Sequence, residues 1–213
     1  MDWGWVQDHL GEIQSLFFQH AQFTLLALVY GFAIAFPLAL AATRWPWLYT
    51  PILGLAGMLF TIPSIAFFML MMPFTGPTAT TCLIALTIYT LLVLVRNTVE
   101  GLRGVPREVR EAAEAMGYRR FKQLFRVELP IALPVIIAGI RIAVVTTIGL
   151  VTITALIGFG GLGALFIDGF RQAFGTPIIV GFVLSVLFAV VADLALVGVQ
   201  RLLTPWARAS GSR

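Results

Sequence analysis

Charged side chains are scarce in this sequence. Only 11% of the 213 residues are Asp, Glu, Lys or Arg, whereas 59% are hydrophobic and the mean hydropathy is +0.95. Soluble domains carry about 25% charged residues, so the composition excludes an ordinary soluble enzyme and indicates a membrane protein. The single cysteine, Cys82, excludes a disulfide within the chain. The only two histidines, His9 and His20, lack the ligand spacing of a metal site, so none is predicted.

Signals for nucleotide or nucleic-acid binding are missing as well. The net charge of +4 comes from basic residues beside apolar runs, not from a basic stripe, so no nucleic-acid partner is predicted. Residues 158–163 fit the G-x-G-x-x-G pattern, but they follow an apolar span and lack an acidic residue about 20 positions later. No Walker A lysine pattern and no nucleophile–base arrangement occurs in the sequence. The sequence therefore predicts neither an enzyme nor a bound cofactor in this chain.

Long apolar runs are abundant. A bilayer core of about 30 Å needs roughly 20 apolar residues in a helix, and lipid leaves backbone groups no partner outside a helix or a closed barrel. The sequence therefore predicts an all-α membrane protein with about five transmembrane helices. Pro63 lies within the second run and is expected to kink its helix. The five predicted spans are residues 23–42, 52–72, 78–95, 131–157 and 177–199.

The basic residues predict the orientation of these spans. No Lys or Arg precedes Arg44, eight lie from Arg96 to Arg126, and three follow the last span. Cytoplasmic loops are enriched in Lys and Arg, so five crossings place the N-terminus outside and the C-terminus in the cytoplasm.

This topology divides the chain into three parts. Residues 1–19 carry Val6, Leu10, Ile13 and Phe17 at helical spacing, which predicts an amphipathic segment lying on the outer surface. The membrane domain is predicted to cover residues 20–203, with a polar loop at 100–130, and a cytoplasmic tail is predicted at 204–213.

The polar loop is predicted to fold as a helix–turn–helix. Pro106 suits a helix start, residues 107–116 are rich in helix formers, and Gly117 suits the helix end. A second amphipathic helix is predicted at residues 118–127, before Leu129 and Pro130 begin the next span. The small residues Ala112, Ala113 and Ala115 would let a partner approach closely. A solvated loop with a positive-inside charge run would explain the arginines but not these two amphipathic helices.

The loop also carries a recognisable motif. Glu111-Ala112-Ala113, three residues, Gly117, nine residues, Val127, one residue and Leu129-Pro130 resembles the EAA signature of ABC importer permeases. Val127 stands where that family usually has isoleucine. The resemblance implies the type I importer permease fold and a cytoplasmic coupling helix that docks on a separate ABC ATPase. It assigns ATPase contact to a set of four residues, Glu111, Ala112, Ala113 and Gly117.

The resemblance implies further partners and a location. The expected partners are a second permease copy or paralogue, an extracytoplasmic substrate-binding protein and membrane lipid, with ATP used by the ATPase. The expected location is the bacterial inner membrane. Residues 61–64, 85–89, 96–98 and 155–163 resemble the glycine betaine, carnitine and choline permeases. The implied function is osmoprotectant import by ATP-driven alternating access. The alternatives are a methionine or amino-acid ABC permease, an ion-gradient-driven secondary transporter and a structural membrane scaffold.

Two further groups of residues are candidate sites. Gly158, Gly160, Gly161 and Gly163 predict a closely packed bend, and a possible gate, at the outer end of the fourth span.

Arg141 and Asp193 are ionisable residues inside predicted spans, where such groups usually face a partner or a cavity. Each lies about ten residues, or roughly 15 Å, from the cytoplasmic end of its span. We therefore predict that they form an ion pair that joins the last two spans. The alternative is that each residue snorkels or faces water separately.

Overall fold

A computed structural model describes residues 1–208 of the chain, so the end of the predicted tail, residues 209–213, lies outside the described residues. All regular structure in that part is helical. Short 3₁₀ segments occur at Pro46–Leu48, Thr154–Ile157 and Pro205–Arg208, and a π-helical turn at Leu124–Glu128. The α-helices are α1 (Trp3–Asp8), α2 (Leu10–Arg44), α3 (Tyr49–Thr61), α4 (Ser64–Thr75), α5 (Ala79–Arg103), α6 (Arg107–Ala115), α7 (Arg120–Gln123), α8 (Leu129–Ile153), α9 (Gly163–Arg171) and α10 (Gly175–Leu203).

Four helical stretches are long and apolar enough to cross a membrane, and a bent pair provides a fifth. The long stretches are Leu10–Arg44, Ala79–Arg103, Arg120–Ile157 and Gly175–Leu203. The bent pair joins Pro46–Thr61 to Ser64–Thr75 at an angle of 96°. The predicted all-α membrane class is confirmed, with five spans when the bent pair is taken as one.

The second predicted span is broken at Pro63 instead of kinked. Ile62 is extended, with φ −64° and ψ 128°, because the residue before a proline is disfavoured in the α region. The hydroxyl of Tyr89 donates a hydrogen bond of 2.6 Å to the Ile62 carbonyl oxygen, and the Tyr89 ring contacts those of Phe60 and Phe67. Contacts from α5 therefore stabilise the break.

The N-terminal segment also differs from its prediction. Only α1 is a separate helix, and its start is capped by Asp2, whose side chain accepts a hydrogen bond from the Trp5 amide. From Leu10 the chain forms one helix of 35 residues, roughly 52 Å long, that continues into the first span. The predicted boundary between residues 19 and 20 falls inside it. Ile13 is buried because it packs against Leu162, so this part of α2 is not a separate surface helix.

The core is centred on α5. One cluster of buried residues joins α5 to α2 through small side chains, including Ala35 and Ala39 of α2 against Leu94 and Val95 of α5. A second cluster of buried residues joins α5 to α2, α4 and the end of α8. By contrast, α10 is largely exposed. We call the end of the bundle that carries α6 and α7 the loop end, and the other end the glycine end.

Candidate functional site

The first helix of the loop forms as predicted. Helix α6 follows Pro106 and ends at Ala115, and Gly117 adopts φ +79°, in the left-handed region that glycine favours. The Tyr118 amide donates to the Ala113 carbonyl oxygen at 3.1 Å, and the Gly117 amide donates to that of Glu114 at 2.9 Å. These two bonds form a Schellman motif, so the predicted helix end at Gly117 is confirmed.

The second helix of the loop is not a separate unit. Helix α7, the π-helical turn Leu124–Glu128 and α8 follow one another without an interruption. Pro130 lacks the N–H that would bond to the carbonyl oxygen four residues earlier. The helix continues through this position as a π-helical turn, in which the Leu129 amide donates a hydrogen bond to the Leu124 carbonyl oxygen. The second predicted helix is therefore present, but it does not end before Leu129 and instead extends the fourth span.

Only some of the four residues predicted to contact the ATPase are exposed on the surface of this chain. Ala113 is 1% exposed, and Val109 packs beside it into a cluster of buried side chains at the loop end. Glu111, Ala112 and Gly117 are exposed. Successive residues of a helix are about 100° apart, so Ala113 faces its own chain while Ala112 does not. The structure therefore removes the Ala113 side chain from the predicted partner surface.

Three polar side chains that the sequence analysis did not single out hold α6 in place. Arg110 donates a hydrogen bond to the Leu102 carbonyl oxygen, and its Nε lies 3.8 Å from a carboxylate oxygen of Glu128. The buried side chain of Gln123 places its Nε2 3.5 Å from the Arg110 carbonyl oxygen. The sequence does offer a signal for Glu128, because it is a carboxylate directly before an apolar span. No pattern in the sequence indicates that its partner is Arg110, 18 residues earlier.

An apolar surface remains uncovered at the loop end. We call it the loop surface and define it by Glu111, Ala112, Ala115, Met116, Gly117, Phe121 and Phe125. Met116 and Phe121 are 70% and 76% exposed, and the Phe121 and Phe125 rings lie 4.7 Å apart. Glu111 forms an exposed ion pair of 2.6 Å with Arg107 at its edge. Large apolar side chains clustered on a polar loop indicate a protein contact.

Comparisons with known proteins agree with these features. The sequence profile of the family described as "Binding-protein-dependent transport system inner membrane component" matches residues 25–209, a range that includes the whole loop. The chain belongs to this family. It is therefore a multi-pass inner-membrane permease of a binding-protein-dependent transport system, and neither an ion-gradient-driven secondary transporter nor a structural scaffold.

Several curated proteins are similar to the permease over most of its length. The "Osmoprotectant import permease protein OsmW" of Salmonella typhimurium is 41% identical and covers 93% of this chain and 94% of its own. The "Choline transport system permease protein OpuBB" of Bacillus subtilis is 34% identical, covering 94% and 92%. The "Glycine betaine/carnitine/choline transport system permease protein OpuCD" of the same organism is 32% identical, covering 95% and 89%.

A solved structure supports the fold. A chain of the MetNI methionine ABC transporter in an inward-facing conformation superposes with a TM-score of 0.81 at 23% identity. The match covers 90% of this chain and 96% of the other. At this identity the likeness shows the permease fold alone.

The four predicted glycines form a tightly packed turn at the glycine end of the permease. A Cβ added to Gly160 would lie 2.1–2.3 Å from atoms of Ala155, and one added to Gly163 would lie 2.2 Å from the Thr152 carbonyl oxygen. Gly158 adopts φ +91° in open space. Close approach of backbones thus explains two of these glycines, and backbone conformation explains Gly158.

Helix α2 holds this turn in position. The Gly161 amide donates a hydrogen bond of 2.9 Å to the side-chain oxygen of Gln19, and a Cβ at Gly161 would lie within 2.9 Å of the His20 backbone. His20 is fully buried, and its Nε2 lies 3.0 Å from the Ile148 carbonyl oxygen. These contacts pack the glycine turn against the first span. A gating role for the turn remains a prediction.

The structure brings Arg141 and Asp193 together. Two parallel hydrogen bonds of 2.7 and 2.8 Å run from Arg141 to the carboxylate of Asp193, joining α8 to α10. About 30% of each side chain is exposed. The bidentate geometry matches the planar guanidinium to the carboxylate. No group of three or more His, Cys, Asp or Glu side chains that could hold a metal occurs within the described residues.

Proposed function

We propose that this chain is the permease subunit of an ATP-driven importer for osmoprotectants such as glycine betaine, carnitine or choline. The named osmoprotectant, choline and glycine betaine permeases are 32–41% identical to it over more than nine-tenths of its length. The methionine transporter is only 23% identical, and this level of identity supports a shared fold but not a shared substrate. Methionine is therefore the second candidate substrate.

The loop surface is the proposed docking site for a separate ATPase. The single observation that supports this most strongly is the rigid display of exposed small and apolar side chains at the end of α6. The Schellman motif at Gly117 and the contacts of Arg110 hold this helix against the membrane domain. Glu111, Ala112 and Gly117 would contact the ATPase, and Met116 and Phe121 would fill its groove. ATP would be bound and hydrolysed by that partner.

The geometry also suggests how movement would be transmitted. Helix α6 packs through Val109 against a buried cluster that includes Leu102 of α5 and Ala132 of α8. The helical stretch Arg120–Ile157 runs without a break from the loop to the glycine end. A displacement of α6 by a closing ATPase would therefore tilt the fourth span as a rigid body and alternate access between the two sides.

The proposed orientation places the loop end in the cytoplasm and the N-terminus outside. Most basic residues of the chain lie at or beside the loop end, as expected for a cytoplasmic side. The glycine end would then face an extracytoplasmic binding protein. A second permease, either another copy or a paralogue, would complete the membrane pathway.

Co-purification with the cognate ATPase tests the docking proposal. Glu111→Lys and Gly117→Asp are each expected to reduce both ATPase association and uptake, because both residues lie on the loop surface. Glu12→Lys makes the same charge change as the first variant at an exposed position near the glycine end, far from the loop surface, and should leave ATPase association unchanged. Association and uptake that survive in both loop variants contradict the docking role.

Substrate class needs a separate measurement. Cells that carry the complete transporter are supplied in turn with radiolabelled glycine betaine, choline, carnitine and methionine. We expect at least one of the first three to accumulate in an ATP-dependent manner. Accumulation of methionine alone contradicts the osmoprotectant assignment and leaves the docking proposal standing.

A further inference from the structure

A cleft of about 380 Å³ lies at the loop end, between the end of α2 and the loop. Its lining combines two kinds of side chain. Three arginines face it, Arg44 from α2 and Arg110 and Arg120 from the loop. Its remaining walls include three leucines, Leu40, Leu102 and Leu124. The cleft is separate from the loop surface, since the two share no residue.

Some guanidinium N–H donors of the cleft arginines have no hydrogen-bond acceptor. The side chains of Arg44 and Arg120 form no hydrogen bond or ion pair in the part of the chain that the structure describes. The Nε atom of Arg110 is buried and has no hydrogen-bond acceptor, although the Glu128 carboxylate lies 3.8 Å from it. Leaving a buried donor unsatisfied is costly. Glu114 and Glu128 also line the cleft, so three positive charges meet two negative ones and one positive charge remains in excess.

A phosphate group in the cleft would satisfy the free guanidinium donors of Arg44 and Arg120. Guanidinium groups bind phosphate oxygens through paired, charge-assisted hydrogen bonds. One phosphate in the cleft could accept bonds from arginines of both α2 and the loop. A carboxylate has fewer oxygens with which to bridge donors on separate elements.

Neighbouring tryptophans place the cleft at the level of the lipid headgroups. Trp45 directly follows Arg44, Trp47 comes two positions later, and they are 51% and 73% exposed. Exposed tryptophans at the end of a membrane span mark the interface between hydrocarbon and water. Two of the lining leucines belong to membrane-spanning helices, Leu40 to α2 and Leu102 to α5, so the apolar part of the lining is continuous with the spans. A free anion would gain nothing from apolar side chains, whereas a phospholipid has both a phosphate for the arginines and acyl chains for the leucines.

We propose that this cleft binds the headgroup of an anionic phospholipid such as phosphatidylglycerol. The bound phosphate bridges Arg44 of α2 to Arg110 and Arg120 of the loop, and so fastens the loop to the first span. Basic pockets between membrane helices suit such headgroups. This inference does not depend on the substrate or on the ATPase.

The proposal is tested by measuring lipid binding to the permease, purified together with its partner subunits. Native mass spectrometry measures the equilibrium binding of dioctanoyl-phosphatidylglycerol and of dioctanoyl-phosphatidylcholine in detergent. We expect the wild type to prefer the glycerol lipid. The double variant Arg44→Gln/Arg120→Gln should bind it about 25-fold more weakly, about fivefold for each arginine near the headgroup.

The matched control removes two charges from the same loop without touching the cleft. Arg119→Gln/Arg126→Gln changes exposed arginines that do not line the cleft, and it should retain the preference for the glycerol lipid. Equal weakening in both double variants overturns the proposal, as does equal binding of the two lipids by the wild type.

Two other outcomes identify a different occupant and also overturn it. Inorganic phosphate that displaces the lipid at equal concentration marks a site for free anions. Loss of ATPase association in Arg44→Gln/Arg120→Gln, with lipid binding unchanged, marks a protein contact.

Discussion

Alanine substitutions in the glycine turn have expected costs that differ for separate physical reasons. Gly158→Ala places a Cβ in open space at φ +91°, so only the left-handed backbone is strained, at a cost of about 1–2 kcal/mol. Gly160→Ala places a Cβ 2.1–2.3 Å from Ala155, more than 1 Å inside ordinary van der Waals contact. Overpacking costs about 1–3 kcal/mol, and a clash with backbone belongs at or above the top of that range.

Thermal unfolding of the purified protein in detergent measures these costs. A change of 1 kcal/mol shifts Tm by about 2–4 °C in a chain of this size. We therefore expect Tm to fall by roughly 2–8 °C for Gly158→Ala and by at least about 6–12 °C for Gly160→Ala. Gly149→Ala is the matched control, because its added Cβ meets nothing within 4 Å inside α8. Alanine favours the helix there by about 1 kcal/mol, so Tm should stay the same or rise.

One result would refute this reasoning. If Gly160→Ala unfolds at the wild-type temperature while Gly158→Ala is destabilised, the close approach between Gly160 and Ala155 does not exist in the protein. Uptake by the same variants addresses the predicted gate. Unchanged uptake in a stable Gly160→Ala/Gly161→Ala variant contradicts a gating role.

Three further predictions concern other contacts. Arg141→Gln and Asp193→Asn should each reduce the yield of folded permease, and the double variant should lose less than the sum, because each single change leaves an unpaired charge in a span; strictly additive losses contradict the pairing. Tyr89→Phe should lower the free energy of unfolding by about 1–3 kcal/mol, because the Ile62 carbonyl loses its partner; an unchanged Tm contradicts this. Gly117→Ala should weaken ATPase association more than Gly117→Asn, since asparagine tolerates the left-handed region better; equal effects contradict the conformational explanation.

Features encoded within one short stretch of sequence were predicted well. The membrane class follows from the length and hydropathy of the apolar runs, and the helical class follows from the hydrogen-bonding demands of lipid. The end of α6 at Gly117 depends on the local preference of glycine for positive φ, which needs no knowledge of the fold. The family signature lies in one continuous stretch, 111–130, for the same reason.

Features that depend on neighbouring helices were predicted less well. The sequence contains Pro63, but the contact between Tyr89 and Ile62 that accompanies the break spans 27 positions. Similarly, the EAA motif does not distinguish Ala112 from Ala113. Only the packing of α6 against the bundle buries one and exposes the other.

The sequence by itself determined the class of protein, the number of apolar segments and the family motif. It also identified Arg141 and Asp193 as candidates for an ion pair inside the membrane. These properties follow from hydropathy, charge and local backbone preference, which act over one or two helical turns or one span. Only the tertiary structure decided that α2 absorbs the N-terminal segment, that the loop continues into α8 and that three arginines share one cleft. Those properties arise where helices distant in sequence meet, because packing and hydrogen bonding depend on positions in space.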